Sequence, residues 1–287
     1  MERCFYLLST EHLSDRIWFQ NDEDFKAAMN IVAIASFLSE AIILDFVLMS
    51  NHVHFVLTGT EKQCCKLITE FKRLYGMYQF HYHGIRKMLK SNDVDIRQVE
   101  IQDESLKRAI AYVQMNPVAA NICLSPEQYP WGCGGVFFNK NEEEGRSIGS
   151  FSKNAQKKLL HSKVVLPPNY MISKRGYVIQ NSYVPVKFVE ALFNTPKSFH
   201  YFMTQSSKAK KRLEKTPLPA FRDQIILAGA TDLCQTLFRK NSLTSLERAE
   251  KAELLKQLRY RFSADLAQLA RVTGIPYSEA SILLEEL

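Results

Sequence analysis

Several signatures are missing from this 287-residue chain, and each absence removes a class of function. There is no G-x-x-x-x-G-K-[ST] and no G-x-G-x-x-G, the glycine-rich loops that cradle phosphates, so nothing points to nucleotide-driven chemistry. No apolar run approaches the roughly 18–20 residues that a membrane span needs. The start, Met1-Glu2-Arg3-Cys4, lacks the basic and apolar stretches of a signal peptide, which reads as a soluble, cytoplasmic protein with no membrane partner. Cys4, Cys64, Cys65, Cys123, Cys133 and Cys234 form no C-x-x-C pair, so no structural zinc site is expected and the thiols stay reduced. There is no internal repeat.

What remains is a globular mix, 46% hydrophobic and 23% charged, with a formal net charge of +7. A positive balance suggests nucleic acid or another acidic partner. The charge is uneven. Residues 1–150 carry 15 Lys and Arg against 19 Asp and Glu, a net of −4, whereas residues 151–287 carry 22 against 11, a net of +11.

The apolar pattern gives a first strand at 3–9 and a helix opened by Asn21 to Glu23, with Phe25, Ala28, Met29, Val32, Ala35 and Leu38 at helical spacing. Strands at 41–49 and 52–58 flank the turn Ser50-Asn51 and make a hairpin. A second helix covers 61–83, a fourth strand 95–102, and a third helix runs from an Asp103 cap to about Asn116, where Pro117 stops it. That order predicts an α+β fold, one antiparallel sheet with packed helices. The polar stretch 139–158 reads as a linker between a domain at 1–138 and a basic mixed region at 159–240, which carries a hairpin around Lys174-Arg175-Gly176 and helices from about 186. Residues 241–287 read as helical, with Thr244 and Glu247 at capping-box spacing.

His52 and His54 flank Val53 on a predicted strand, so both imidazoles share one face. Two adjacent imidazoles can ligate one divalent metal, although a pair of satisfied strand histidines has the same spacing. His81-Tyr82-His83 repeats the motif on a predicted helix, where i and i+2 point about 200° apart, and so reads as two histidines at a helix end. On the third helix Leu106, Ile110 and Val113 form the core stripe, while Tyr112 lies off it beside Ser105, Arg108 and Asn116. A tyrosine, a cation and an amide on one face suit a nucleophile, a phosphate contact and an oxygen ligand. The plainer reading is a boundary tyrosine with its hydroxyl in water.

Three segments in order, Phe46-Val-Leu-Met-Ser-Asn-His52-Val-His54-Phe-Val-Leu57, Ala111-Tyr112-Val-Gln-Met-Asn116-Pro117 and Pro126-Glu-Gln-Tyr-Pro-Trp131, resemble the HUH single-tyrosine transposases. Their REP-associated branch, a relative of small insertion-sequence transposases, is the nearer match. The resemblance covers residues 1–135. It implies an RRM-like or ferredoxin-like antiparallel sheet with helices on one side. It also implies Mg²⁺ or Mn²⁺ held by His52 and His54, and a Tyr112 nucleophile that attacks a scissile phosphate in single-stranded or hairpin DNA. Asn116, one turn on, is the candidate third ligand. Such an enzyme forms a 5′-phosphotyrosine, frees a 3′-hydroxyl and rejoins strands without ATP. The family's members work as monomers or as dimers that share active sites, so a homodimer stays open. Ser50 stands where many relatives have proline, and residues 84–97 lack a Trp-rich segment that some relatives show.

Candidate DNA contacts are Arg108, Lys72 and Arg73, the cluster at 207–215 with Lys210, Lys211 and Arg212, and, further on, Arg259 and Arg271. Residues 265–287 have helix-turn-helix spacing, with Leu266, Leu269 and Ala270 on one edge, a Gly274-Ile275-Pro276 turn and a Ser278 cap. The last helix carries Glu279, Glu285 and Glu286 and no Lys or Arg, which argues against base reading. Two other readings compete: a non-catalytic DNA-binding protein derived from a transposase, and an unrelated metal-binding α+β enzyme. The charge split predicts that removing 151–287 weakens DNA binding more than it damages the site of cleavage.

Overall fold

The computed structural model describes residues 4–10, 16–85, 94–139, 143–206 and 221–285. Its centre is a four-stranded antiparallel sheet of β1 (Cys4–Ser9), β2 (Ile42–Leu48), β3 (Val53–Gly59) and β4 (Asp95–Val99), in the order β2-β3-β1-β4. With α1 (Asp22–Ser39) after β1 and α2 (Glu61–His83) after β3, this is the β-α-β-β-α-β arrangement expected from the sequence. The Asn21 side chain caps α1 by accepting the Asp24 N–H at 3.0 Å. Thr60 and Gln63 close a capping box on α2.

Strand alternation assigns the two faces. Val53, Phe55 and Leu57 point toward α1 and α2, as the Phe55–Phe71 ring pair at 5.9 Å shows. His54 and Val56 point the other way, and α3 (Ser105–Gln114) lies there, with Gln114 Nε2 donating to Asp45 Oδ1 at 2.7 Å. Helices therefore cover both faces, not the single side the resemblance implied. The second face carries Leu7, Val47 and Val56, which need cover, and Leu106, Ile110 and Val113 of α3 supply it; all six are buried.

Local differences have local causes. Glu104, in the left-handed region at φ 60°, precedes α3, while Asp103 Oδ1 accepts the Ser105 N–H at 2.8 Å. Pro117 does not stop the chain's helical path. It sits in the first turn of α4 (Asn116–Ala119), where a proline's missing N–H costs nothing. The Pro126–Trp131 segment docks on the outer edge of β2: Tyr129 Oη donates to the Leu48 carbonyl at 2.8 Å, and Trp131 stacks on Phe25 at 4.9 Å. Gly132 is required there, since a Cβ would lie 2.5 Å from the Phe46 carbonyl oxygen.

The stretch 139–158, expected as a linker, is part of the packed body. β5 (Gly145–Ser147) pairs with β6 (Met171–Ser173), Ile148 is fully buried, and α5 (Lys153–Leu160) begins within the stretch. Glu143 and Glu144 are exposed while Ile148 anchors it. The turn at Lys174–Gly176 forms, with Gly176 at φ 91°; β6 takes β5 as its ladder partner and also meets the returning chain around Val178, where the Ser173 N–H donates to the Tyr177 carbonyl and the Ile179 N–H to the Met171 carbonyl, both at 2.8 Å. One hydrophobic core then runs from Tyr6 through Val178 and Phe193 to Met203, with α6 (Val186–Phe193) and α7 (Pro196–Gln205) packed on it. Asn30 of α1, 1% exposed, bonds three backbone groups of this later chain: Val178 N (2.8 Å), Leu159 O (3.1 Å) and Gly176 O (3.2 Å). A cut at 150 would divide this core.

A second core lies among α8 (Asp223–Thr236), α9 (Arg248–Phe262), α10 (Leu266–Thr273) and α11 (Tyr277–Glu285), built on Ile226, Leu254, Leu255, Leu258, Leu269 and Leu283. The capping box of α9 uses Glu247 and Glu250, because Thr244 is already held in a short 3₁₀ turn by Ser242. Gly274, at φ 72°, joins α10 to α11, and Ser278 lies inside α11 rather than capping it. No helix among the described residues is long and apolar enough to cross a membrane.

Candidate active site

The hairpin β2–β3 sets the histidines. Its turn is pinned from outside: the Ser50 carbonyl accepts the N–H groups of Trp18 (2.7 Å) and Phe19 (3.1 Å), and Ser50 Oγ donates to Asp223 Oδ2 at 2.5 Å. His52 follows the turn, half-buried; His54 is the second residue of β3 and is fully buried. Their rings meet edge to face at 4.9 Å between centroids. Asn51 Oδ1 lies 2.9 Å from His52 Nδ1. With that oxygen accepting, the proton is held on Nδ1 and Nε2 keeps its lone pair for a ligand.

Tyr112 reaches the same place from α3. Its ring meets His54 edge to face at 5.4 Å with an interplanar angle of 90°. The core stripe of α3 fixes this, since burying Leu106, Ile110 and Val113 turns Tyr112 toward the sheet surface beside β3. Tyr112 and Arg108 line one cleft of about 1090 Å³, bounded by Ser9, Arg97 and, from α7, Tyr201. Arg108 is well exposed and anchored by its Nη1, which donates to the Asp103 carbonyl at 3.1 Å, with Glu104 3.5 Å from Nη2. Asn116 is buried, and its Nδ2 donates to the carbonyls of Tyr112 (2.9 Å) and Val113 (3.4 Å). Its Oδ1 is the end left to act as an oxygen donor.

The other candidate contacts lie elsewhere. Lys72 and Arg73 are on α2, across the sheet from Tyr112; Lys72 is buried and Arg73 pairs with Glu70 at 2.6 Å. Arg259 is exposed on α9. Arg271 is committed inward, its guanidinium forming two hydrogen bonds to Asp223 at 2.7 and 3.1 Å. Lys210, Lys211 and Arg212 lie outside the described residues. Tyr75 and Tyr78, the other tyrosines that could be imagined as nucleophiles, are structural. Tyr75 Oη donates to the Trp18 carbonyl at 2.6 Å and Tyr78 Oη to Asp24 at 3.1 Å, and burial pushes both phenols upward. His83 pairs with Asp24 at 2.7 Å and so belongs to the same buried network.

The sequence did not single out Ser9, Asp95 or Arg97. Strand register would have found them. Ser9 sits opposite both His54 and Asp95, so the three form a row across β3, β1 and β4, and Arg97 shares their face one pair along. At the spacing of strands, about 4.8 Å each, the Asp95 backbone is roughly 10 Å from that of His54, with Ser9 between them.

Two imidazoles with an amide oxygen one helix away fit a divalent ion that tolerates nitrogen and completes its shell with water or phosphate oxygens. Among the described residues no group of three or more His, Cys, Asp or Glu gathers to hold a metal. His52 and His54 are the adjacent imidazoles that could hold one. Behind them Asp45 is fully buried, and desolvation raises its carboxyl well above the usual range despite the hydrogen bond from Gln114.

No family model and no curated protein matches this chain. A solved structure of a REP-associated tyrosine transposase bound to a REP hairpin is similar to it at 12% identity and a TM-score of 0.34, over 46% of this chain and 75% of that one. A likeness of this size is a distant structural relationship and carries no residue's role across.

Proposed function

We propose that this protein cleaves and rejoins single-stranded or hairpin DNA through a covalent phosphotyrosine on Tyr112, with His52 and His54 holding Mg²⁺ or Mn²⁺. It is thus a DNA strand-transfer enzyme of the transposase kind. The observation that carries the reading is the contact of His52, His54 and Tyr112, two rings from a hairpin and one from a helix far along the chain.

In the proposed step the Tyr112 oxygen forms a bond to the scissile phosphorus as the phosphorus–O3′ bond breaks. The phenol proton leaves to solvent or to a cleft base, and the departing 3′-oxygen gains a proton. One phosphodiester is exchanged for another, so no energy source is consumed and a 3′-hydroxyl can reverse the step. A divalent ion, when bound, would polarise the phosphate oxygens. Arg108 and Arg97 line the cleft on either side of Tyr112 and are suited to steady the phosphates that flank the scissile one. Asn116 holds the last turn of α3 through the Tyr112 carbonyl and so sets the nucleophile's backbone.

The test is a labelled single-stranded hairpin oligonucleotide incubated with the protein and Mn²⁺, then run on a denaturing gel. A shifted covalent species that Tyr112→Phe abolishes supports the reading. Tight binding without any adduct would favour a non-catalytic DNA-binding protein.

A further inference from the structure

On the far side of the sheet from Tyr112, the C-terminal end of α2 and the end of α5 enclose a groove of about 1060 Å³. Its cations are Lys157, Lys158 and Lys163, with Arg73, which pairs with Glu70, and it also holds His81 and His161; among the described residues no acidic side chain lines it. The three lysines are exposed. Rings are interleaved with these charges. Tyr82 is 51% exposed and Phe80 48%, large apolar surface to leave in water on a helix whose other face is in the core. Tyr82 is held upright rather than loose. Its ring lies 4.6 Å from Tyr78 and 5.2 Å from His161, and its hydroxyl is 2.9 Å from His161 Nδ1. Burial, and then the neighbouring His81, lower the His161 pKa.

We propose that this groove is a second DNA-binding site that takes a single strand, with the lysines of α5 and its following turn on phosphates and Tyr82 under an unstacked base. It takes from the proposed function only that the polymer is DNA. Exposed, fixed rings beside a one-sign electrostatic lining suit single strands, whose bases are free to stack, better than a duplex, whose bases are hidden. The catalytic cleft differs in kind, since Asp95, Asp103 and Glu104 are part of its wall. The two sites lie on opposite sides of the sheet, so one strand occupying both must pass around an edge of the molecule.

The test uses the full chain and fluorescein-labelled oligothymidylate of about 20 nucleotides, read by anisotropy over a salt series. Lys157→Glu with Lys158→Glu is expected to weaken binding at least about tenfold and to flatten the log–log salt slope by about 1.4, two contacts at about 0.7 each. Tyr82→Ala should weaken binding about tenfold with the slope unchanged, and Tyr82→Phe should bind as the wild type does. Lys174→Glu, an exposed lysine outside the groove, is the control. The proposal is overturned if the double variant binds within twofold of wild type, or if Lys174→Glu weakens binding as much. It is also overturned if duplex DNA binds more tightly while Tyr82→Ala has no effect. The Tyr112 adduct on a short oligonucleotide separates the two claims. Its absence from every form, with groove-dependent binding intact, would sink the strand-cleavage reading and leave the groove.

Discussion

The two halves of the chain use charge in opposite ways. Residues 1–150 are net −4 and place a few ionic and polar groups around one cleft, whereas residues 151–287 are net +11 and look like a general grip on phosphate. The structure divides that surplus. Arg271 is spent on Asp223, Lys240 on Glu250 at 2.5 Å and Lys251 on Glu279 at 3.0 Å, all within the helical body. Lys157, Lys158 and Lys163 face solvent instead, beside a groove walled partly by α2 of the first half. A count of charges gives the sign of a partner. It does not say which cations are still available to meet one.

The halves are also one body, and the strongest prediction attacks that claim. Removing residues 151–287 takes away Val178 and Phe193, exposes the part of the core they cover and strands the Asn30 side chain, so the remaining fragment should show no cooperative thermal unfolding. A soluble fragment with a sharp transition would restore the simple division of labour. Next in size, His54→Ala should cut the rate of adduct formation by at least ~10²-fold, because it removes a proposed metal ligand. Loss of rate with Mn²⁺ affinity unchanged, measured by titration calorimetry, would move the metal elsewhere.

Asp223→Ala comes third. It leaves Arg271 with no carboxylate and frees Ser50 Oγ in the turn before His52. Breaking a buried pair in this way should cost about 3–5 kcal/mol in chemical denaturation. A variant as stable as wild type would mean that the helical body does not brace the histidine turn.

Asp45 gives a pH signature with a definite sign. Burial raises its folded pKa above the ordinary 3.8 of an aspartate, so its contribution to stability is fully present below about pH 3.8 and is lost as pH rises through the folded value. Asp45→Asn keeps an acceptor for Gln114 and removes that loss, so the variant should gain stability relative to wild type from pH 4 upward. Parallel pH–stability curves for the two proteins would contradict the raised pKa. The smallest effect is expected at Arg108→Ala, an exposed cation. A few-fold loss of DNA affinity and a salt slope flatter by about 0.7 would place it on one phosphate.

Much of the sheet was legible because its signals are local. Alternating apolar residues and the Asn21 cap each act within a few residues, and the strands and helices they imply formed in that order. The histidine and tyrosine sites could be named singly for the same reason. What brings them together, the burial of Leu106, Ile110 and Val113 on the second face, depends on a sheet face that no local window reveals. The misread linker has a similar cause. Residues 139–158 are polar in composition, yet one buried Ile148 and a short pairing with Met171–Ser173 hold them in place. Arg271 was read as a surface cation because its partner, Asp223, lies far from it in the chain.

The central claim is that Tyr112, set against His54, is the nucleophile. The most direct measurement is the mass of the covalent species formed on labelled single-stranded hairpin DNA with Mn²⁺, with the modified peptide mapped. The account predicts a DNA adduct on the peptide containing Tyr112, absent from Tyr112→Phe and retained in Tyr75→Phe that is still folded. An adduct that persists in Tyr112→Phe, or a folded wild-type protein that binds the DNA and never forms one, would contradict it.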